Sequence, residues 1–213
     1  MWPFSILHPT NLLKYSPKGE GFSHSHKAHI NNKGAGKLAK YLQGTLVYTI
    51  YLGNNKLEGK EGAKFAKYLP GTNVHTVGLN NNQIKDEGTA KFAKYLQGSQ
   101  VHTINLSSNS IQGDDSLGEF GLNLQGTLVH TINLSYNKIQ AKGIVEFAKY
   151  LKGTNVRIIN LYRNQIGSEG AASFAQNLQG SQVEEVNLGF NNVNGRTQYL
   201  LISKYPHIKW VKW

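Results

Sequence analysis

The sequence contains no cysteine, few prolines, and no apolar run that approaches the length of a membrane-spanning helix. Without cysteine, disulfides, thiolate metal ligands and a cysteine nucleophile are excluded. A spanning helix needs about 20 consecutive, mostly apolar residues, and no segment supplies them. The motifs GxxxxGK[ST], HExxH and GxSxG are also missing, and no paired carboxylates can be placed in a pocket. We therefore expect no catalytic residues, no cofactor and no metal site, and predict that the chain is not an enzyme.

A secretion signal is another missing feature. The first 19 residues, MWPFSILHPTNLLKYSPKG, have no basic residue before Lys14, and Pro3 and Pro9 interrupt their apolar stretch. A cleavable signal needs a basic start followed by an uninterrupted apolar segment. We therefore expect the chain to fold in a cytoplasm, and any delivery into a host cell to follow a route without a cleavable signal peptide.

The composition is that of a folded, basic protein. Its 213 residues are 39% hydrophobic and 10% aromatic, which suits one domain with a substantial core. The chain carries 23 Lys and Arg against 12 Asp and Glu, a formal net charge of +11. An anionic partner therefore has to be considered.

One pattern, V-x-x-[IV]-x-L-x-x-N-x-[ILV], recurs six times at spacings of 27 or 28 residues. Within each copy, apolar residues alternate with polar ones, as Ile50 and Leu52 do with Thr49 and Tyr51, which predicts a strand. The six copies begin at Val47, Val74, Val101, Val129, Val156 and Val183.

A helical segment follows each of the first five copies. In the first, Phe65, Ala66 and Leu69 fall on one face of a helix, and Gly71 follows where a left-handed cap favours glycine. Each copy also has an asparagine at its ninth position. We predict that these asparagines are buried, bond to loop amides and carbonyls, and stack into a ladder: Asn55, Asn82, Asn109, Asn137, Asn164 and Asn191.

This pattern resembles the leucine-rich repeat, and its length and helical second half resemble the ribonuclease-inhibitor subclass. The resemblance implies an α/β solenoid, a right-handed βα horseshoe with parallel strands on the concave face and helices on the convex face. The segments AKYLQG and VHTINLS are also similar to leucine-rich-repeat effectors of the Legionella type. These resemblances imply a protein-binding module, an inhibitor or regulator of an enzyme, and a partner that is a host protein or a co-delivered bacterial effector.

We divide the chain into three parts. Residues 1–46 are predicted to form an N-terminal cap with a degenerate half-repeat, residues 47–195 six repeats, and residues 196–213 a C-terminal cap. In the last part, 196–205 reads as a helix and 207–213 as a final strand. In that strand we expect Ile208, Val211 and Trp213 to point inward and Trp210 to point outward.

The third, fifth, seventh and eighth positions of each copy are predicted to face the concave side. In the last three copies these positions collect aromatic residues and an arginine, the types enriched in interface hot spots. There are two alternatives. These residues could reflect neutral sequence drift on a solvent-exposed face that tolerates substitution, or Phe190 could pack beneath the C-terminal cap. We expect a monomer when unbound, and a partner-binding surface formed by Tyr51, Tyr136, Ile158, Tyr162, Arg163, Phe190 and Trp210.

Histidines form two groups. His75, His102 and His130 share the second motif position, and the repeat alone explains their recurrence. A pH-sensitive contact strip or a metal site are the alternatives, although stacked residues converge poorly on a tetrahedral centre. The second group is His24, His26 and His29, which either belongs to a polar stretch of the cap or captures a metal.

Charged residues cluster outside the strands. Lysines of the helical segments are predicted to line the convex surface as a solvated face; a nucleic-acid or anionic-membrane footprint is the alternative. The sequence favours the first interpretation, because single-strand binders combine charge and aromatics in one groove. Acids in the loops before the helices are expected to complement helix N-termini, with a cation site or a docking edge as alternatives: Glu58, Glu61, Asp86, Glu87, Asp114, Asp115 and Glu119.

Overall fold

The structure is a computed structural model that describes residues 14–15, 21–24, 32–113 and 115–211. These residues form one sheet of nine strands that follow one another in chain order. β1 pairs with β2 antiparallel, and every later neighbour is parallel. The strands are β1 (Lys14–Tyr15), β2 (Gly21–His24), β3 (Val47–Tyr51), β4 (Thr76–Gly78), β5 (Thr103–Asn105), β6 (Thr131–Asn133), β7 (Ile158–Asn160), β8 (Glu185–Asn187) and β9 (Lys209–Val211).

Helices alternate with the strands from β2 onward. Each parallel connection needs a crossover, and here a helix of 8 to 11 residues supplies it. The predicted α/β solenoid, an open sheet on one side and helices on the other, is confirmed. The helices are α1 (Asn32–Lys40), α2 (Gly59–Ala66), α3 (Lys85–Lys94), α4 (Asp115–Asn123), α5 (Ala141–Lys149), α6 (Gly167–Asn177) and α7 (Gly195–Lys204).

Strand register places equivalent motif positions side by side. Thr49 pairs with Thr76, Thr76 with Thr103, and the match continues through β8. One column of each strand is therefore wholly aliphatic and fully buried: Ile50, Val77, Ile104, Ile132, Ile159 and Val186. The neighbouring columns face the concave side, so their side chains can differ from unit to unit without disturbing the core.

The helices bury a second column. Phe65, Phe92, Phe120, Phe147 and Phe174 occupy the same helical position and are all fully buried. Each such ring stabilises the stack by about 1.5–3 kcal/mol through removal of its apolar surface from water. Phe120 and Phe147 stack with ring centroids 5.6 Å apart.

The predicted asparagine ladder is confirmed. All six asparagines are buried, and each side chain from Asn82 onward bonds to its own loop and to the loop of the preceding unit. Asn137 is representative. Its Oδ1 accepts from the N–H groups of Asn109 and Ile111 at 2.8 and 3.1 Å. Its Nδ2 donates to the carbonyls of Leu106 and Leu134 at 3.1 and 2.9 Å.

The third unit, from Val101 to Leu128, is one residue longer than the others, and its backbone closely approaches that of the fourth unit. A Cβ added to Gly143 would lie 1.4 Å from the carbonyl oxygen of Gly113, so only glycine fits there. The same loop is tied to the preceding unit, because the carboxylate of Asp86 accepts from the N–H groups of Gln112 and Gly113 at 3.0 and 2.7 Å.

The orientation predicted for Trp210 is wrong. β9 begins at Lys209 in register with Glu185, so Trp210 pairs with the buried Val186 and packs against the core. Its Nε1 donates to the carbonyl of Tyr205 at 3.4 Å. Ile208 is buried, whereas Val211 is half-buried and Trp213 lies outside the described residues. The three-part division of the chain stays a prediction.

We predict that Asn137→Ala strongly destabilises the solenoid. Two buried N–H groups and three carbonyls lose a partner. Each unsatisfied buried group costs about 1–3 kcal/mol, so we expect a loss of about 3 kcal/mol or more. Urea unfolding followed by circular dichroism measures it. Gln182→Ala, on an exposed residue, is the control and should stay within about 0.5 kcal/mol of wild type. Equal unfolding midpoints for the two variants would contradict the role of the ladder.

Candidate interaction surface

Four side chains of the last three units form one group, which we call the aromatic–arginine cluster: Tyr136, Tyr162, Arg163 and Phe190. The ring of Tyr162 lies 5.4 Å from that of Tyr136 and 5.1 Å from that of Phe190. The guanidinium carbon of Arg163 lies 5.4, 5.9 and 5.1 Å from the centroids of Tyr136, Tyr162 and Phe190. The arginine is therefore held among three aromatic rings by cation–π contacts.

The cluster is accessible and its charge is unpaired. Tyr136 is 52% exposed and Phe190 60%, and the side chain of Arg163 is also exposed. The alternative that Phe190 packs beneath the C-terminal cap is therefore wrong. Arg163 forms no ion pair with any residue that the structure describes. The cluster thus offers apolar rings and a free positive charge at one place.

The backbone beneath the cluster is left-handed. Tyr136, Arg163 and Phe190 occupy the eighth motif position with φ values of 54°, 53° and 58°. The first three units carry Asn54, Asn81 and Ser108 at the same position, with φ values of 61°, 53° and 54°. Asparagine tolerates this conformation, whereas bulky residues adopt it at a cost of about 1–3 kcal/mol each. The fold alone would be satisfied by small polar residues here.

The other predicted contact residues lie at different distances from the cluster. Ile158 is the first residue of β7, between Thr131 and Glu185 in the sheet, and is 38% exposed. Tyr51 lies three strands before β6, and its ring covers Gly78, where an added Cβ would approach Cδ1 of Tyr51 to 2.6 Å. Trp210 is partly buried and packs against the core, so it does not join the cluster. The structure thus brings four of the seven residues into one contact group, with Ile158 nearby in the sheet.

The histidine row of His75, His102 and His130 lies at the opposite ends of the strands from the cluster. Its ring centroids are 4.8 and 5.3 Å apart, and Tyr48 stacks on His75 at 4.5 Å. His75 Nδ1 lies 2.7 Å from the carbonyl of Asn73, and His130 Nδ1 lies 2.9 Å from Thr131 Oγ1. Burial, with smaller contributions from His75 and His130, lowers the pKa of His102 below its usual value.

The row of His75, His102 and His130 forms no metal site, since no three His, Asp or Glu side chains are grouped as ligands among the described residues. Stacked imidazoles present their faces to one another, so their nitrogens do not converge. Of the second group, His24 lies in β2, and His26 and His29 lie outside the described residues.

The helix lysines lie on the exposed face, as Lys64 and Lys94 show, and several have acidic neighbours. Lys91 pairs with Glu87 and Lys149 with Glu146, spaced four and three residues apart. The contact with Lys91 lowers the pKa of the Glu87 carboxyl. These pairs favour a solvated face, and a polyanion footprint stays a prediction.

The acidic rim expected from the sequence is not uniform. Glu61 is buried, with Oε1 4.0 Å from Lys64 Nζ, and Asp86 bonds to the loop of the next unit. Neither α2 nor α3 has a side chain that accepts a bond from its first amides, so these acids are not N-caps. Asp115 pairs with Lys142 at 2.9 Å, and Asp114 lies outside the described residues.

Two features were not singled out from the sequence. Asparagines at the fifth motif position form a row across β5 to β8, which their recurrence in the NLS and NLY text could have revealed. The last helix exposes Tyr199 (75%) and Ile202 (52%), at positions where the inner helices have small residues such as Ala172 and Ala175. The large residues in α7 were visible in the sequence as a departure from the repeat.

The chain is similar to one protein family over part of its length and to several solved structures. A family model described as Leucine Rich repeat matches residues 127–148 and 154–175. No curated protein matches the chain. Among solved structures, it is similar to an internalin of Listeria monocytogenes, with 14% identity, a TM-score of 0.48 and coverage of 79% of this chain and 41% of that one. It is also similar to TLR13 in a complex with ssRNA13, with 17% identity, a TM-score of 0.44 and coverage of 71% and 23%.

The repeat pattern and the alternating strands and helices have the architecture of a leucine-rich repeat solenoid, and the family model matches part of two of its units. The chain spans less than half the length of either solved structure. Leucine-rich repeat solenoids are typically scaffolds for protein–protein interaction and are generally not enzymes. Of the described helices, none is long and apolar enough to cross a bilayer.

We predict that His102 makes folding stability depend on pH. Because its pKa is lowered in the folded state, its contribution is fully present above the unfolded-state pKa of about 6.5 and is lost as pH falls through the folded-state pKa. The urea midpoint of the wild type should therefore fall from pH 8 to pH 5. It should fall less in His102→Gln, whereas His207→Gln, on an exposed histidine, should follow the wild type. An identical slope in all three proteins would contradict this assignment.

Proposed function

We propose that this chain is a non-enzymatic binding module that holds a partner protein in its concave face, with the aromatic–arginine cluster as its main anchor. Ile158 extends this contact along β7, and Tyr51 flanks it on β3. The observation that carries the proposal is an arginine without an ion pair among the described residues, held among the exposed rings of Tyr136 and Phe190 and the half-buried ring of Tyr162. Three members of the cluster, all but Tyr162, stand at backbone positions that favour asparagine. Tyrosine and arginine are also the residues that dominate binding energy at protein interfaces.

Binding at this surface would require little reordering. The cluster residues lie in the loops directly after strands that are in register, and their side chains already contact one another. A preorganised surface loses less conformational entropy on association. Tyr136 and Phe190 would enter apolar pockets of the partner, and Arg163 would bond to a partner carboxylate, the stronger for being charge-assisted.

The finer role follows from the resemblance of the repeats. Similarity to ribonuclease-inhibitor repeats supports an inhibitor or regulator that occludes the active site of a partner enzyme. Similarity to Legionella-type repeats supports a bacterial effector whose partner is a host protein or a co-delivered effector. In this proposal the chain folds in a cytoplasm and is a monomer until it binds.

We predict that Tyr162→Ala/Arg163→Ala reduces partner capture at least about tenfold, since interface anchors of these types are each worth 2 kcal/mol or more. Affinity capture from host and bacterial lysates, quantified by mass spectrometry, measures it. The matched control is Tyr199→Ala/Arg196→Ala, which removes an exposed tyrosine and arginine from α7, away from the concave face. It should capture the partner as the wild type does.

Equal capture by the wild type and the cluster variant would contradict the concave assignment. The lysine alternative is distinguished by salt and by charge reversal. A polyanion bound through the helices would be lost steeply between 50 and 200 mM salt. It would also be lost in Lys64→Glu/Lys67→Glu/Lys94→Glu, which leaves the cluster intact.

A further inference from the structure

A second row of asparagines, distinct from the buried ladder, runs across the floor of the concave face. We call it the amide row: Asn105, Asn133, Asn160 and Asn187. These residues stand on β5 to β8 in direct register, Asn105 beside Asn133, then Asn160 and Asn187. Neighbouring parallel strands are about 4.8 Å apart, so the row is a regular series of amides. Tyr51 and Gly78 occupy its position on β3 and β4, where the row ends.

Each amide of the row is oriented by its own backbone. Asn Oδ1 accepts from the N–H two residues later, and the four distances, to Ser107, Ser135, Tyr162 and Gly189, are all 3.0 Å. The side-chain oxygen is thus engaged within the loop. The Nδ2 groups donate to no residue that the structure describes, and all four side chains are half-buried. The row therefore presents a line of fixed hydrogen-bond donors.

The charged residues around the row also favour a negatively charged ligand. Both carboxylates beside it are engaged, Glu184 with Arg157 at 3.0 Å and Glu185 with Lys209 at 2.8 Å. Arg163 has no ion pair within the described part of the chain. Between β5 and β8 the face thus combines free amide donors and a free cation, and its carboxylates are already neutralised. A ligand that fits must supply acceptors and negative charge.

We propose that the face between β5 and β8 binds an acidic segment of the partner protein, whose carboxylates bond to the amide row and Arg163 while its apolar side chains contact the aromatic–arginine cluster. This inference rests on the proposed function and names the chemistry of the partner. The amide row lies in the same half of the concave face as the aromatic–arginine cluster. One segment of the partner can therefore place its acidic residues on the row and its apolar residues on the cluster.

The test uses a random dodecapeptide library selected on the immobilised full chain. Peptides whose binding is lost in Tyr162→Ala are concave binders. We expect these peptides to be enriched in Asp and Glu, and replacement of their acids by Asn and Gln to weaken binding at least about tenfold, because hydrogen bonds to charged groups are worth more than neutral ones. This change leaves the folded chain untouched, so loss of folding cannot produce it.

The protein side is tested with Asn160→Asp. The new carboxylate still accepts from the N–H of Tyr162, but it replaces the free Nδ2 donor by an acceptor and adds a negative charge. The same peptides should bind this variant at least about tenfold more weakly. Gln176→Glu adds the same charge to an exposed position of α6 and should bind them as the wild type does.

Concave binders without an excess of Asp and Glu, or with equal affinity for Asn160→Asp, would overturn the acidic-segment proposal and leave the proposed function standing. Acidic peptides that keep binding Tyr162→Ala and lose binding to Lys64→Glu/Lys67→Glu would also overturn it. If no selected peptide depended on Tyr162, the proposed function would fail together with this inference.

Discussion

The hydrogen bonds of the buried asparagine ladder are the constraint on which the rest of the structure depends. Each chain turn from strand to helix leaves backbone N–H and C=O groups without a partner in its own unit. The ladder asparagine of the next unit accepts from two of those amides, as Asn82 does from Asn55 and Leu57. Its Nδ2 bridges the carbonyls of Leu52 and Leu79. One side chain therefore fixes both the turn and the spacing of two units.

The same turn explains where the candidate surface lies. The residue just before each ladder asparagine is left-handed in all six units, from Asn54 to Phe190. The turn thus sets this conformation whatever side chain stands there, and burial of the aliphatic and phenylalanine columns in the core supplies stability that offsets its cost. Bulky residues at the eighth position are therefore tolerated where a less constrained loop would rearrange. The turn that the asparagine ladder fixes therefore also places Tyr136, Arg163 and Phe190 at the edge of the concave face.

The period of the repeat predicted which residues are buried within the six units. It failed after the last unit, where the pattern ends. The alternation of Ile104 with Thr103 and Asn105 suffices to predict which residues are buried. Trp210 could not be placed this way, because the last strand has no V-x-x-[IV]-x-L text, and a shift of one residue turns every side chain to the other face. Glu61 was misplaced for a related reason. It stands at the helical position of Gly88 and Gly143, which faces the preceding unit, so it is buried where a loop acid was expected.

The cluster residues were predicted from the sequence, but their mutual contacts were not. Strand alternation assigns Tyr162 and Arg163 to the concave side, yet it does not say that one guanidinium would contact rings from three units, since that depends on side-chain conformations. The left-handed backbone was also invisible, because tyrosine and phenylalanine are not residues from which it is inferred.

The composition of the concave face changes along the strand direction as well as along the solenoid. The histidine row precedes the strands, the amide row lies on them, and the cluster follows them. The histidine row and the amide row are each built from one motif position, so their members are about one strand spacing apart. The cluster comes from the seventh and eighth positions, and the length of a strand separates it from the histidine row. Protonation of His102 in the third unit therefore acts at the edge far from Arg163. A pH effect on stability and a charge effect on binding belong to different edges of the sheet and can be changed independently, because residues that are far apart and share no partners contribute additively.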